Sequence, residues 1–590
     1  MQEAGDLSAK PSKSWQSNAQ RNVWRSFKRL GIGWKVPLSM WEYVSEEGVV
    51  LQLPYISPKS YVEYFVNHVP DVLVGGVMSD QDRAIHLKSF WAAYRQSHGT
   101  HEVFDPNSEQ DLSHTLPPCL HGDEGRGKRR TGTMVISLES PLGLVSRKRK
   151  RDCCSVARRH VEKLTRDVLP LGSALDAVDM MAHNTKGHSF LQRWPLVIIP
   201  GVVYKVYPSM VHQFHDMIAR EMRSLFYEGV KGPAGRIYTG ALVGLKGDLD
   251  WHDKVGQFIR SWRHLGKKNQ LLCCHQCLGG DAKLPWEDVG EYPCWEPTTF
   301  EVRPWMEGPQ VPPPPLTQIP FDKDASEMMF RTDPFHTGKL GPMRDVAGST
   351  VFWLLERGYF GTVGDVAVKL QRAHQMFQMY CGAQATAPAL RSFTKALFQY
   401  KSRQTFPWSN TKGSDTTLLL QWLQAQVEGC VQDPISADDV PTAVLIQRTI
   451  GALLRFYDSM YKHRLFLPRS CAIAMYLDGC RFISGYCILA QSSVGHQKLW
   501  AVKPKLHMCR HLLVEMRQAL EAGSERVLSP LAWNCEQNED SIGRLSRLSR
   551  RLDSRGMSAR VLMCFLVKGQ ILHKRFHSES PAKPRAHRGR

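Results

Sequence analysis

The spacing of apolar and polar positions changes several times along the chain, and each change predicts a different kind of element. Between 116 and 260 the apolar residues fall into short runs rich in Val and Ile and bounded by Gly and Pro. "TMVISLES" (133–140), "WPLVIIPGVVYKVY" (194–207) and "RIYTGALVGL" (236–245) read as strands. The intervening "PSMVHQFHDMIAREMRSLFYEG" (208–229) repeats apolar residues at helical spacing and reads as an amphipathic helix. From about 345 to 530 the helical period dominates, in "TTLLLQWLQAQVEG", "TAVLIQRTIGALLRFYDSMY" and "KLHMCRHLLVEMRQALEAG". The stretch before 116 also reads as mainly helical.

These patterns divide the chain into a helical N-terminal region (1–115), a mixed α/β core (116–260), a Cys-rich segment (261–298), a linker-like stretch (299–344), a helical insertion (345–530), a closing core segment (531–577) and a basic tail (578–590). The four consecutive prolines in "MEGPQVPPPPLTQIP" predict a stiff polyproline linker. No fixed-period repeat is present. At 590 residues the chain exceeds one ordinary core, and 42% hydrophobic with 22% charged residues is a globular composition.

Lys and Arg outnumber Asp and Glu by 76 to 56, a net charge of +20 spread along the chain, and a field of this sign favours a polyanionic partner such as nucleic acid. No apolar run reaches the ~20 residues of a membrane helix, so no membrane partner is expected. The opening "MQEAGDLSAKPSKSW" lacks an apolar signal core. Fifteen irregularly spaced Cys suggest reduced thiols in the cytosol or nucleus, and "SRKRKRD" (146–152) is a basic run of the type that import receptors read, so a nuclear location is expected. In "QRNVWRSFKRLGIGW", Arg21, Arg25, Lys28 and Arg29 interleave with Trp24, Phe27 and Trp34, which suits either DNA contact or an ordinary amphipathic helix.

The stretch "HGDEGRGKRRTG" (121–132) has the glycine and lysine spacing of a phosphate-binding loop in Gly122, Gly127 and Lys128. Such a loop needs Ser or Thr after the Lys, a strand before it and a helix after it. Arg129 stands at that position, "TLPPCL" precedes and a strand-like run follows, so the nucleotide reading fails. Its acids suggest metal chemistry instead. Asp248 and Asp250 follow the apolar run that ends at Gly247, and Glu539 and Asp540 open a helix with a basic face. Carboxylates on a strand, at a strand end and on a helix suit a two-metal phosphodiester site, because hard Mg²⁺ prefers carboxylate oxygen.

Four elements in order carry a family resemblance. "GLKGDLDWHDKVGQF" is trailed by the Cys-rich "LLCCHQC"; "RTDPFHTGKLG" holds an Asp-x-x-His pair, Asp333 and His336; "VKPKLHMCRHLL" holds His507 and His511; "NEDSIGRLSRL" holds Glu539, Gly543 and Leu545. Over roughly 119–560 this resembles the DDE-type cut-and-paste transposases of the CACTA, Plavaka and Kyakuja/Dileera/Zisupton group. The resemblance implies a ribonuclease H-like mixed sheet interrupted by a Cys-rich segment and a helical insertion. It also implies DNA cleavage and strand transfer with two Mg²⁺ or Mn²⁺ ions, and a homo-oligomer acting on DNA. It makes Asp123, Asp248 and Glu539 the catalytic acids, with Glu124, Asp250, Glu536 and Asp540 as rivals, and it places Asp333 and His336 beside them. A transposon-derived DNA-binding protein without catalysis is the alternative.

Two further groups bear on chemistry. Cys274 and Cys277 have zinc-knuckle spacing, with Cys294 as a third ligand for structural Zn²⁺ and Cys273, His275 or His264 as fourth. His507 and His511 share one helical face and could hold a metal, but with no acid nearby they read as packing residues. Arg544, Arg547, Arg550 and Arg551 line the helix after Glu539 and would contact the DNA backbone without reading sequence.

Overall fold

The computed structural model describes residues 26–27, 29–127, 131–144, 174–267, 271–308, 311–552 and 556–578. The N-terminal region is not purely helical. Strands β1 (Ser39–Val44) and β2 (Val50–Tyr55) form an antiparallel hairpin before helices α1 (Pro58–His68) and α2 (Asp80–Arg95). In "SMWEYV" Trp41 and Tyr43 turn inward and Met40, Glu42 and Val44 outward, the period-2 alternation of a half-buried edge strand.

The core strands follow as β3 (Cys119–Arg126), β4 (Gly132–Glu139), β5 (Arg193–Pro200) and, after helix α3 (Pro208–Tyr227), β6 (Gly244–Lys246) and helix α4 (Leu249–Gly256). The sheet order is β1-β2-β5-β4-β3-β6. β3, β4 and β5 are antiparallel neighbours, whereas β6 runs parallel to β3, as the long α3 crossover requires. An isolated parallel bridge from Leu245 to Phe330 continues the sheet beyond β6. The predicted strand at 194–207 stops at Pro200, which has no N–H to extend the ladder, and Gly201–Tyr204 turns as a short helix.

Beyond the Cys-rich segment, Leu316 and Ile319 beside the proline run are buried in the main core, so this stretch is packed structure instead of a free linker. Six helices then build a second core: α5 (Pro342–Glu356), α6 (Val366–Ala383), α7 (Gly413–Gln432), α8 (Val440–Lys462), α9 (Arg469–Ser492) and α10 (Pro504–Glu521). A two-stranded pairing of Phe466–Pro468, between α8 and α9, with Arg526–Leu528, after α10, ties the middle of this region to its end. By length and composition alone α9 is apolar enough to cross a membrane, although the Gly, Asp and Arg residues within it break its apolar run. Here it packs between α8 and α10, with Asp478 bound by Arg455 and Arg481.

Helices α11 (Glu536–Arg551) and α12 (Met557–Ser578) return the chain to the sheet. α3 sets Phe214 against Trp41 and Tyr55, while α11 packs on β3 and α12 on β5. Every residue of β4 is buried: Met134, Val135, Ile136 and Leu138 lie in the main core, and the polar Thr133, Ser137 and Glu139 are buried beside them. The result is a helix-rich mixed α/β protein.

Candidate metal and phosphodiester site

Period-2 alternation places Cys119, His121, Asp123 and Gly125 on one face of β3, and Gly122 and Glu124 on the other. His121 pairs with Lys246 in the parallel register of β3 and β6. Asp123 lies two residues further along β3, and Asp248 two residues past the end of β6, close enough for its charge to act on Asp123. Asp248 is also the N-cap of α4, where its Oδ1 accepts the Trp251 N–H at 2.7 Å. Asp123 Oδ1 accepts the Glu124 N–H at 2.6 Å.

Glu539, in the first turn of α11, completes the cluster. Burial, then the negative charges of Glu539 and Asp248, push the Asp123 carboxyl well above its usual range. Asp248 is also raised, chiefly by burial, although its bond from Trp251 works the other way. For Glu539 burial is outweighed by His336, whose Nε2 lies 3.3 Å from Oε1, and the carboxyl is held below its usual range.

His336 is fixed from behind. Its Nδ1 lies 2.6 Å from Asp333 Oδ2, and the buried Asp333 also accepts the N–H groups of Phe335 at 2.8 Å, His336 at 3.2 Å and Cys535 at 3.1 Å. Asp333 therefore ties the Asp-x-x-His turn to the start of α11. Burial opposes protonation of His336, but Asp333 and Glu539 override it and raise its pKa to about 10.

The rival acids are engaged elsewhere. Glu124 faces the opposite side of the sheet toward Tyr204. Asp250 lies 3.4 Å from Arg263. Glu536 accepts from Tyr461 at 2.6 Å and lies 3.4 Å from Lys339. Asp540 accepts from Ser189 at 2.9 Å and from Arg544 at 2.6 Å.

Below the acids lies a buried ion group that the sequence reading missed. Glu139 is bound by Arg193 at 3.0 Å and Lys246 at 2.5 Å, all three being at most 2% exposed, and Asn538 of α11 donates to it at 2.9 Å. It joins β4, β5, β6 and α11 directly beneath the cluster. Isolated charged letters at strand ends gave no signal of their pairing.

Two glycines permit the close approach. A Cβ at Gly122 would sit 2.0 Å from the Trp251 indole, and one at Gly125 would lie 2.2 Å from Ser546 Oγ and 2.6 Å from Ile542 Cγ2. Gly125→Val should push α11 off β3 and destabilise the protein by about 1–3 kcal/mol, read as a lower urea midpoint at unchanged m-value.

A second cluster corrects the expected zinc ligands. Cys274, Cys277, His507 and His511 are buried with one ligand atom each within 4.8 Å of the others, so this group could hold a metal ion. Cys274 Sγ lies 3.4 Å from His511 Nε2 and Cys277 Sγ 3.3 Å from His507 Nε2. Cys294 is exposed and outside the group, its N–H donating instead to Asp288. Cys273, His275 and His264 are not members either. The i,i+4 histidines were visible in sequence, but their partners are thiols more than two hundred residues away, which made them read as packing. His507 Nδ1 lies 3.0 Å from the Trp286 carbonyl, an outer contact that orients Nε2 toward the thiols. Trp295 covers both rings, at 4.2 and 4.4 Å.

Helix α11 buries Asn538, Ser541, Ile542, Leu545, Ser546 and Ser549, leaving Arg547, Arg550 and Arg551 exposed on its outer side. Arg544 instead bonds Asp540 and lies 3.2 Å from His188. In the N-terminal arm, Arg21, Trp24, Arg25 and Lys28 lie outside the described residues, as do Lys128 and Arg129, the 146–152 run and the tail from 579. Trp34 is no base-stacking surface: it is 3% exposed and packs edge-on to Phe65 and Phe565. No protein-family model matches this sequence, and no curated protein is significantly similar to it.

Proposed function

We propose that this chain is a transposase-like enzyme that cleaves and joins DNA strands, with Asp123, Asp248 and Glu539 as ligands for two Mg²⁺ or Mn²⁺ ions. The observation that carries the proposal is that Asp123 on β3, Asp248 just past the end of the parallel neighbour β6, and Glu539 in the first turn of α11 are brought close enough for both other acids to act on Asp123. Burial and the neighbouring carboxylates raise Asp123 and Asp248, and a divalent cation would relieve that repulsion, while Glu539 is held ionised by His336. The antiparallel run β5-β4-β3 followed by parallel β6 supports a ribonuclease H-like reading of the core.

When bound, such ions activate water or a DNA 3′-hydroxyl and stabilise the leaving oxygen of the phosphodiester. The chain's own residues hold that geometry. Backbone N–H groups of Glu124 and Trp251 orient Asp123 and Asp248, and Asp333 keeps His336 protonated and aimed at Glu539. Arg547, Arg550 and Arg551, on the outer side of the same helix, would hold DNA phosphates by sequence-independent contacts. The net charge of +20 supports such a partner. We assign Zn²⁺ to the Cys274, Cys277, His507 and His511 group, because two thiols and two imidazoles make a closed tetrahedral set. It would join the Cys-rich segment to α10.

Purified protein should nick supercoiled DNA in Mg²⁺ or Mn²⁺, and Asp123→Asn, Asp248→Asn or Glu539→Gln should each reduce the rate by at least about a hundredfold. Asp250→Asn should not. Activity that survives Asp248→Asn would sink the assignment. Salt-sensitive DNA binding without cleavage in either metal would favour a transposon-derived binding protein.

A further inference from the structure

We propose a third metal site, formed by Asp71, His573 and His577, that takes a borderline divalent cation such as Zn²⁺, Co²⁺ or Ni²⁺. It shares no residue with the acid cluster or the Cys/His group. His573 and His577 stand one turn apart near the end of α12, so their rings leave the same helical face. Their Nε2 atoms are 3.0 Å apart. His573 Nε2 lies 3.1 Å from Asp71 Oδ1, and His577 Nε2 lies 3.0 Å from Asp71 Oδ2. One ligand atom from each residue lies within 4.8 Å of the others.

The donor chemistry selects the cation. Two imidazoles and one carboxylate suit first-row metals of intermediate softness, whereas Mg²⁺ and Ca²⁺ prefer all-oxygen shells. Asp71 is only 5% exposed and the histidines 15% and 21%, so the ligands are held in place while an edge remains open to water.

The position gives the site a structural consequence. Asp71 belongs to the turn Pro70–Val72 that follows α1, whereas α12 is the last described helix. The two regions already meet where Trp34 packs against Phe65 and Phe565, and where a Cβ at Gly569 would strike Trp34 at 2.4 Å. A cation held by these three side chains would fasten the far end of α12 to the N-terminal region.

The test uses the full chain, stripped with chelator, reloaded with Co²⁺ and freed of loose metal by gel filtration. Wild type should hold one equivalent more than His573→Gln/His577→Gln, and both should show the thiolate-to-cobalt absorption of the Cys/His group. Equal metal content in folded wild type and variant would overturn the proposal. If the variant does not fold, wild type decides. Co²⁺ should suppress modification of His573 and His577 by diethyl pyrocarbonate in a saturable manner, and unchanged modification of both would overturn the proposal.

Discussion

Serine at both Cys274 and Cys277 is expected to release one equivalent of zinc and to lower the thermal midpoint by about 10 °C or more. The Cys/His group is the only described contact that draws thiols from the loop after α4 and imidazoles from the start of α10 into one metal-sized cluster. Without the ion, the buried thiols and imidazoles beneath Trp295 are held by contacts with one another, Cys274 with His511 and Cys277 with His507, and lose the bonds that a bound cation would supply. Structural zinc sites release free energy on the order of 10 kcal/mol in isolated peptides, so even a fraction of that figure is a large share of ordinary stability. Metal analysis with a thermal melt checks the prediction; a double variant that keeps its zinc and its midpoint contradicts it.

Glu139→Ala is expected to destabilise the protein by about 3–5 kcal/mol, enough to abolish a marginal fold. Arg193 and Lys246 would stay buried with no anion between them, at 0% and 2% side-chain exposure. Burial alone would raise the Glu139 carboxyl, but the charges of Lys246 and Arg193 outweigh it and hold the pKa below the usual value. A carboxyl with a depressed folded pKa adds stability above its unfolded value and loses it as pH falls through the folded one. Wild type should therefore lose this contribution only in acid below the ordinary carboxylate range, whereas Glu139→Ala should lack it at neutral pH. Urea unfolding at neutral and acid pH separates the two, and a variant as stable as wild type at neutral pH would remove the triad from the account.

Local pattern made some of this architecture legible and distant pairing hid the rest. The apolar run of β4 and the helical period of α3 predict their elements, because burial on both faces and on one face leave different periods. The hairpin β1–β2 was read as helical: only Trp41 and Tyr43 mark its inward face, too short a signal to compete with the helices around it. The resemblance singled out Asp123, Asp248 and Glu539, and the structure adds where their rivals point. Strand alternation turns Glu124 away, the N-cap role orients Asp248, and Tyr461 and Arg544 engage Glu536 and Asp540. The Cys/His group shows the same limit, since Cys294 is near in sequence and distant from the cluster, while His507 is the reverse.

The central claim is that Asp123, Asp248 and Glu539 hold divalent ions for phosphodiester chemistry. A crystal grown with Mn²⁺ and examined by anomalous scattering tests it most directly. Two Mn²⁺ peaks about 4 Å apart among these three carboxylates are predicted. No peak there, with Glu539 still joined to His336 and with Asp123 protonated, would contradict it.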